Sequence, residues 1–209
     1  TKVVERGKAD GLYINTTGVG VLHAGARPGP RGARAGDAIL VSGPIGRHGM
    51  AIMATREGIG FETGIESDSA SLWPVVAPLL HRFGPAIHVL RDPTRGGLAS
   101  TLNEIAQASG VGIELEESSL PIPGAVQAGC EMLGLDPIYV ANEGILVAMV
   151  PQASATAALE CMRADPLGAE AAVIGRVVAA HPGFVVLHTA LGGTRIVDLL
   201  PGDQLPRIC

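Results

Sequence analysis

The chain ends in a cysteine, Cys209, at the close of the run Pro201-Gly-Asp-Gln-Leu-Pro-Arg-Ile-Cys209. A terminal run of nine residues reaches at most roughly 30 Å when extended, at ~3.3 Å per residue. A thiol there can visit a site elsewhere on its own protein or on a partner, and so carry a chemical group between them. The plainer alternative is an ordinary free thiol at a chain end. Asn142-Glu143-Gly144 interrupts apolar sequence on both sides, Tyr139-Val140 before it and Ile145-Leu146 after it. A carboxylate at such a strand end faces either a pocket, where partial burial makes it a better base near neutral pH, or solvent, as an exposed turn residue. Arg91-Asp-Pro-Thr-Arg-Gly-Gly97 packs two guanidiniums, a carboxylate and a hydroxyl directly before a helical pattern. Either Asp92 or Thr94 caps that helix, or the stretch forms the rim of a polar cleft whose glycines let a ligand approach. Gly36-Asp-Ala-Ile-Leu-Val-Ser-Gly-Pro-Ile-Gly46 runs from a strand through a glycine turn into a helix. Its free N–H groups suit an anion, although GxxxxGK[ST] is absent and a tight turn explains it equally. Lys2, beside Thr1, is a point charge able to hold phosphate.

The elements that must position these residues follow from periodicity. Ala38–Val41 is a short, fully apolar strand. His48–Glu57 reads as a helix with Met50 and Met53 on one face. Leu72–Phe83 reads as a second helix, with Ser71 as N-cap and Pro74 in its first turn. Gly97–Ala108 carries Leu98, Leu102, Ile105 and Ala106 at helical spacing and ends at Ser109-Gly110. Val111, Ile113 and Leu115 alternate with Gly112, Glu114 and Glu116, the pattern of a half-buried strand. Gly124–Leu133 is a helix, Gly144–Val150 a strand, and Pro151 opens a helix to about Arg163. Strands follow at Ala172–Val178, Phe184–Thr189 and Thr194–Leu199, the last two joined as a hairpin by Gly192-Gly193. Lys2–Val21 reads as two more strands, with Leu12, Ile14, Val19 and Val21 as their apolar positions. Strands alternate with helices without a strict βαβ series, so the class is α+β.

Composition limits the rest. Aromatics make up 3% of the 209 residues against 47% hydrophobic, so the core must be built from Val, Ile, Leu and Ala. A net charge of −5 argues against nucleic acid or a membrane surface as partner. The segment His23–His48 holds Arg27, Arg31, Arg34 and Arg47 against one acid, Asp37, and reads as a solvated loop. No apolar run is long enough to span a bilayer, and no signal-peptide pattern opens the chain. Cys130, Cys161 and Cys209 show no CxxC spacing; the first two read as small core residues in a reduced, cytoplasmic protein. The chain opens on Thr1 rather than Met, which suggests a fragment or a trimmed chain.

Thr1-Lys-Val-Val-Glu-Arg-Gly7, Gly36-Asp37 with Ser42-Gly43, Arg91-Asp-Pro-Thr-Arg-Gly-Gly97, Asn142-Glu143-Gly144 and Pro206-Arg-Ile-Cys209 occur in this order. Together they resemble the hydrogenase expression/formation HypE family, within the superfamily of aminoimidazole ribonucleotide (AIR) synthetase and selenophosphate synthetase. The resemblance covers the whole chain. It implies a PurM-like α+β fold, a mixed sheet flanked by helices. Residues 1–35 would be a remnant of the N-terminal ATP-binding domain, 36–200 the C-terminal domain, and 201–209 a mobile carrier tail. Acidic metal ligands would lie upstream of Thr1, so none is assigned within the chain.

The activity implied is ATP-dependent dehydration of a carbamoyl group on the terminal thiol to a thiocyanate, the source of the cyanide ligands of [NiFe]-hydrogenase. The cofactors implied are ATP and Mg2+. The partners implied are the carbamoyltransferase HypF, the HypC–HypD complex and a second copy in a homodimer. By motif match Cys209 is the carrier thiol, Glu143 the base and Lys2 a group at the reaction centre, with Thr1, Lys2 and Asp92 at the nucleotide. The residue types suit that chemistry. An amide oxygen leaves poorly until phosphorylated, and loss of phosphate then needs the N–H protons removed. A carboxylate does that, and a lysine offsets charge on the transferring phosphoryl group. Two other classes stand beside this one: a non-catalytic docking module whose tail binds a partner, and another ATP-dependent synthetase acting on a soluble amide or on selenide. Metal binding by Cys209 with His181 or His188 has little support from spacing.

Overall fold

β1 (Asp37–Val41) is buried along its whole length. A strand that is apolar at every position after its first residue has no face to offer water, so it needs cover on both sides. It gains that cover in mid-sheet, paired antiparallel with β4 (Val147–Pro151) on one side and β5 (Ala172–Val178) on the other. The computed structural model describes residues 17–58 and 64–199. Among these, β2 (Val89–Arg91), β3 (Gly112–Glu116), β6 (Val185–His188) and β7 (Thr194–Val197) complete a seven-stranded sheet in the order β2-β4-β1-β5-β3-β6-β7. The β3–β6 pair is parallel and the other pairs are antiparallel, so the sheet is mixed.

Alternation along β1 divides the core. Ile39 and Val41 face α3 (Gly97–Ser109), whose Leu98, Leu102 and Ile105 are buried against them. Ala38 and Leu40 face α2 (Trp73–Phe83) and α5 (Ala155–Arg163), through Val75, Leu79, Ala158 and Met162. A smaller cluster joins Met50 of α1 (Arg47–Glu57) to Val126 and Cys130 of α4 (Gly124–Leu133) and to Val140. No Phe, Tyr or Trp is among the buried core residues described, as composition requires. Leu102, fully buried on α3, should cost about 2–5 kcal/mol of stability as Leu102→Ala. Denaturant unfolding measures this, and a cost below about 0.5 kcal/mol would mean that α3 does not close the core.

The predicted elements map closely onto these, with corrections. α2 starts at Trp73 with Leu72 as its N-cap and no side-chain cap, so Ser71 does not cap it, although Pro74 does sit in the first turn. The strand expected over Gly144–Val150 begins at Val147 and includes Pro151, so the next helix starts at Ala155 rather than Pro151. β2 was not expected, because three residues are too few to show alternation. Of the two strands expected over Lys2–Val21, positions 1–16 lie outside the described residues, and Gly18–Val21 is irregular with Val19 and Val21 exposed. The β6–β7 hairpin closes as expected, with Thr189 N–H donating to the Gly193 carbonyl and Gly192 N–H to that of Thr189.

Arg27, Arg31 and Arg34 are exposed, as a solvated loop predicts, but Asp37 is not their counter-ion. It is buried, takes the Arg34 N–H at 2.9 Å, and lies 2.8 Å from Nδ1 of the buried His88. His88 in turn accepts the Gly29 N–H on its carbonyl at 3.1 Å, so the loop is fastened to the sheet.

Candidate functional site

Three of the sequence motifs meet at one buried side chain. Asn142 precedes β4 and is 1% exposed. Its Oδ1 accepts the Gly46 N–H at 2.7 Å, at the start of α1. Its Nδ2 donates to the Pro93 carbonyl at 2.9 Å and to that of Val140 at 3.2 Å. Its own N–H also donates to Pro93, at 3.3 Å. Only an amide side chain donates and accepts at once in this way. The turn after β1, the loop into α3 and the Val140–Ile145 run are therefore one assembly. Ser42 closes its floor: the Ser42 N–H donates to the Leu146 carbonyl, and its Oγ accepts the Leu146 N–H at 2.9 Å.

Two glycines make this closeness possible. A Cβ on Gly97 would lie 2.6 Å from the Val140 carbonyl oxygen, and φ there is +60°. A Cβ on Gly144 would lie 1.5 Å from the Asp68 carbonyl oxygen. The segment 64–72 crosses the Asn142-Glu143-Gly144 turn at that point. Asp68 Oδ1 accepts the Glu143 N–H at 3.1 Å, and the neighbouring Ser67 Oγ lies 2.9 Å from Nδ1 of the buried His48. Gly144→Ala must therefore push the segment away, at about 1–3 kcal/mol. The expected readout is loss of hydrogen-exchange protection at the Glu143 amide. Unchanged protection would show that the segment does not rest on Gly144.

A cleft of about 130 Å³ opens here, between the Gly43-Pro44 turn, Arg47, Gly144-Ile145 and Asp68, with Pro166 and Leu167 on its far wall. Arg47 is half-buried at the start of α1, and Glu143 is half-buried directly before the cleft-lining Gly144. Glu143 is therefore neither a free turn residue nor a core carboxylate. Asp92 is exposed on the loop whose Pro93 is held by Asn142. Neither Asp92 nor Thr94 caps α3, since its N-cap is Gly96 and no side chain bonds it. Arg91 pairs with Glu104 of α3 at 3.0 Å on the surface, a contact of little energetic weight. At the N-terminus of α1, Asn142 takes the Gly46 N–H and the Ala141 carbonyl takes that of Gly49. Thr1, Lys2 and Cys209 lie outside the described residues.

The remaining titratable groups narrow the chemistry. Cys130 is fully buried, and burial, with Asp136 and Glu131 nearby, pushes its thiol up to about 11. Cys161 is half-buried against the α2–α5 side of the core. His188 Nε2 lies 3.8 Å from Glu114, and no group of three or more His, Cys, Asp or Glu able to hold a metal occurs among the described residues. Asp68, Ser67 and His48 had no signal in the sequence. Glu66-Ser-Asp-Ser-Ala-Ser71 reads as a polar loop, and only its path over Gly144 gives it a place in the site.

The chain can now be set beside known proteins. It is 56% identical over 209 residues to the carbamoyl dehydratase HypE of Bradyrhizobium diazoefficiens, covering all of this chain and 60% of that one. It superposes on the crystal structure of hydrogenase maturation protein HypE in complex with ATP with a TM-score of 0.82 at 50% identity, over 87% of this chain and 55% of that one. Against the HypE–HypF complex the TM-score is 0.81 at 44% identity, over 85% and 57%. The chain thus spans about 60% of the length of the curated relatives it matches. No described helix is long and apolar enough to cross a membrane. The family model for the AIR synthase related protein, C-terminal domain, matches residues 34–188, which takes in all the sheet but β7 together with every motif of the assembly around Asn142, and the chain belongs to that family.

Proposed function

We propose that this chain is the C-terminal portion of an ATP-dependent carbamoyl dehydratase, which converts a carboxamide on Cys209 to a thiocyanate. One observation carries the proposal. The hydroxyl of Tyr139 donates to the Asp198 carbonyl at 2.9 Å, so the root of the Cys209 tail is fastened four positions before Glu143 in the chain. Residues 200–209 reach at most roughly 33 Å, at ~3.3 Å per residue, and the cleft beside Glu143 lies within that radius. The likeness to HypE supports the same assignment.

In this proposal the carboxamide oxygen attacks the γ-phosphorus of ATP, and the bond to ADP breaks. Glu143 removes an N–H proton, the C–O bond breaks, and the oxygen leaves with phosphate. Loss of the second N–H proton leaves the S–C≡N group. Thr1 and Lys2 hold the nucleotide, with Asp92 contributing from the loop before α3. Among the described residues no group of three or more His, Cys, Asp or Glu is placed to hold Mg2+. A HypF-type carbamoyltransferase loads the thiol, and a HypC–HypD-type complex takes the cyano group in the cytoplasm. Residues 1–35 belong with the ATP-binding domain, through which the protein dimerises; 36–200 form the C-terminal domain and 201–209 the carrier tail. Intact mass tests this. Incubation with carbamoyltransferase, carbamoyl phosphate and ATP should add one carbamoyl group to the protein. No gain in mass would leave a docking module as the better account.

A further inference from the structure

Asp68 uses one carboxylate oxygen and leaves the other idle. Oδ1 accepts the Glu143 N–H at 3.1 Å. Oδ2 is buried and has no hydrogen-bond partner, although Asp68 lines the cleft that Arg47 also lines. A buried acceptor left without a donor costs about 1–3 kcal/mol, and more when charged. A position that tolerates this cost suits a donor from outside. The nearby His48 repeats the pattern, with Nδ1 on Ser67 and Nε2 buried without a partner.

Three charged residues line the cleft, Arg47, Asp68 and the exposed Glu170, and the two half-buried ones, Arg47 and Asp68, define what fits. A phosphate or carboxylate suits Arg47 but has no donor for Asp68 and meets its charge. An alkylammonium suits Asp68 and Glu170 but meets Arg47. A primary carboxamide suits both, since it presents N–H donors on one side and a carbonyl oxygen on the other, and a group of that size fits about 130 Å³. We propose that Asp68 Oδ2 accepts one N–H of the carboxamide while Arg47 donates to its oxygen, leaving the second N–H toward Glu143. Asp68 is then a binding residue that sets which proton Glu143 meets and selects an unsubstituted amide nitrogen. The assignment deepens the proposed function and rests on it for the identity of the amide.

The test uses S-methyl thiocarbamate, the small mimic of a carbamoylated cysteine, titrated into the 209-residue chain while the amide resonances of Arg47, Glu143 and Gly144 are followed by NMR. Saturable shifts are expected. The N,N-dimethyl analogue, which has no N–H, should bind about 10- to 100-fold more weakly. Asp68→Asn can keep an oxygen on the Glu143 N–H while placing a donor where Oδ2 was, and should weaken the parent probe by a similar factor. Equal binding of the two probes, equal binding by a folded Asp68→Asn protein, or no saturable shift at these amides would overturn the assignment. The comparison of probes needs no variant, so a misfolded Asp68→Asn does not leave the question open. The titration involves neither ATP nor Cys209, so its failure and a failure of dehydration appear in separate experiments.

Discussion

Cys209→Ala is expected to abolish carbamoyl loading while leaving the unfolding transition unchanged. The thiolate is the nucleophile in thiol chemistry, and two of the three cysteines are poorly placed to supply it. Cys130 is enclosed between α4, α1 and Val140, and its thiol is pushed up to about 11. Cys130 therefore stays protonated at neutral pH, and its side chain is fully buried. Cys161 is half-buried on α5 with its neighbours packed on α2. Cys209 alone combines a terminal position with the Pro206-Arg-Ile-Cys209 match. Loading is read as the mass of one carbamoyl group, followed by peptide mapping. An adduct on Cys130 or Cys161, or loading that survives Cys209→Ala, would remove the carrier role from the tail.

Glu143→Gln is expected to pass the loading step and stop at the next. In a protein that carries the ATP-binding segment, carboxamide should accumulate on Cys209. Loss of one water on adding ATP should slow by about 10²-fold or more, the usual share of a positioned general base. Glutamine keeps the shape and hydrogen bonding of the side chain, and the Glu143 N–H that Asp68 accepts belongs to the backbone, so the turn should persist. Dehydration at the parent rate would reduce Glu143 to a turn residue. The base would then be sought at Asp92, whose neighbour Pro93 is bound by Asn142.

Local pattern carried the fold further than the site. β1, β3, β5, α3 and α4 lie within a residue of where periodicity places them, because each has a burial pattern written along its own length. β2 escaped notice because its strand character comes from pairing with β4, not from its three residues. The site motifs were visible as unusual local sequence, but their assembly was not. The contact between Asn142 and Gly46 spans 96 positions, and nothing in either motif names the other. Asp68 was invisible for a further reason: what sets it apart is one oxygen without a donor, a property of its surroundings rather than of its type. The α1 turn admitted an anion-binding or a tight-turn account, and the Arg91–Gly97 loop a capping or a cleft-rim account. In the structure Asn142 takes the Gly46 N–H of the first and donates to the Pro93 carbonyl of the second, and no side chain caps α3.

If Cys209 carries the carboxamide, the bond from Tyr139 to the Asp198 carbonyl also bears on how strongly the cleft must hold it. A thiol confined within roughly 33 Å of a fixed root is present at an effective concentration on the order of 10 mM, whatever path its chain takes. A carboxamide delivered this way would occupy a cleft of only millimolar affinity, so one carboxylate oxygen and one guanidinium would suffice where a diffusing substrate would need a far larger contact surface. Free amides at micromolar levels leave the same cleft empty. Selectivity for the carried group would then come mainly from covalent attachment, and the dehydration step would be first order in the loaded protein, indifferent to its dilution.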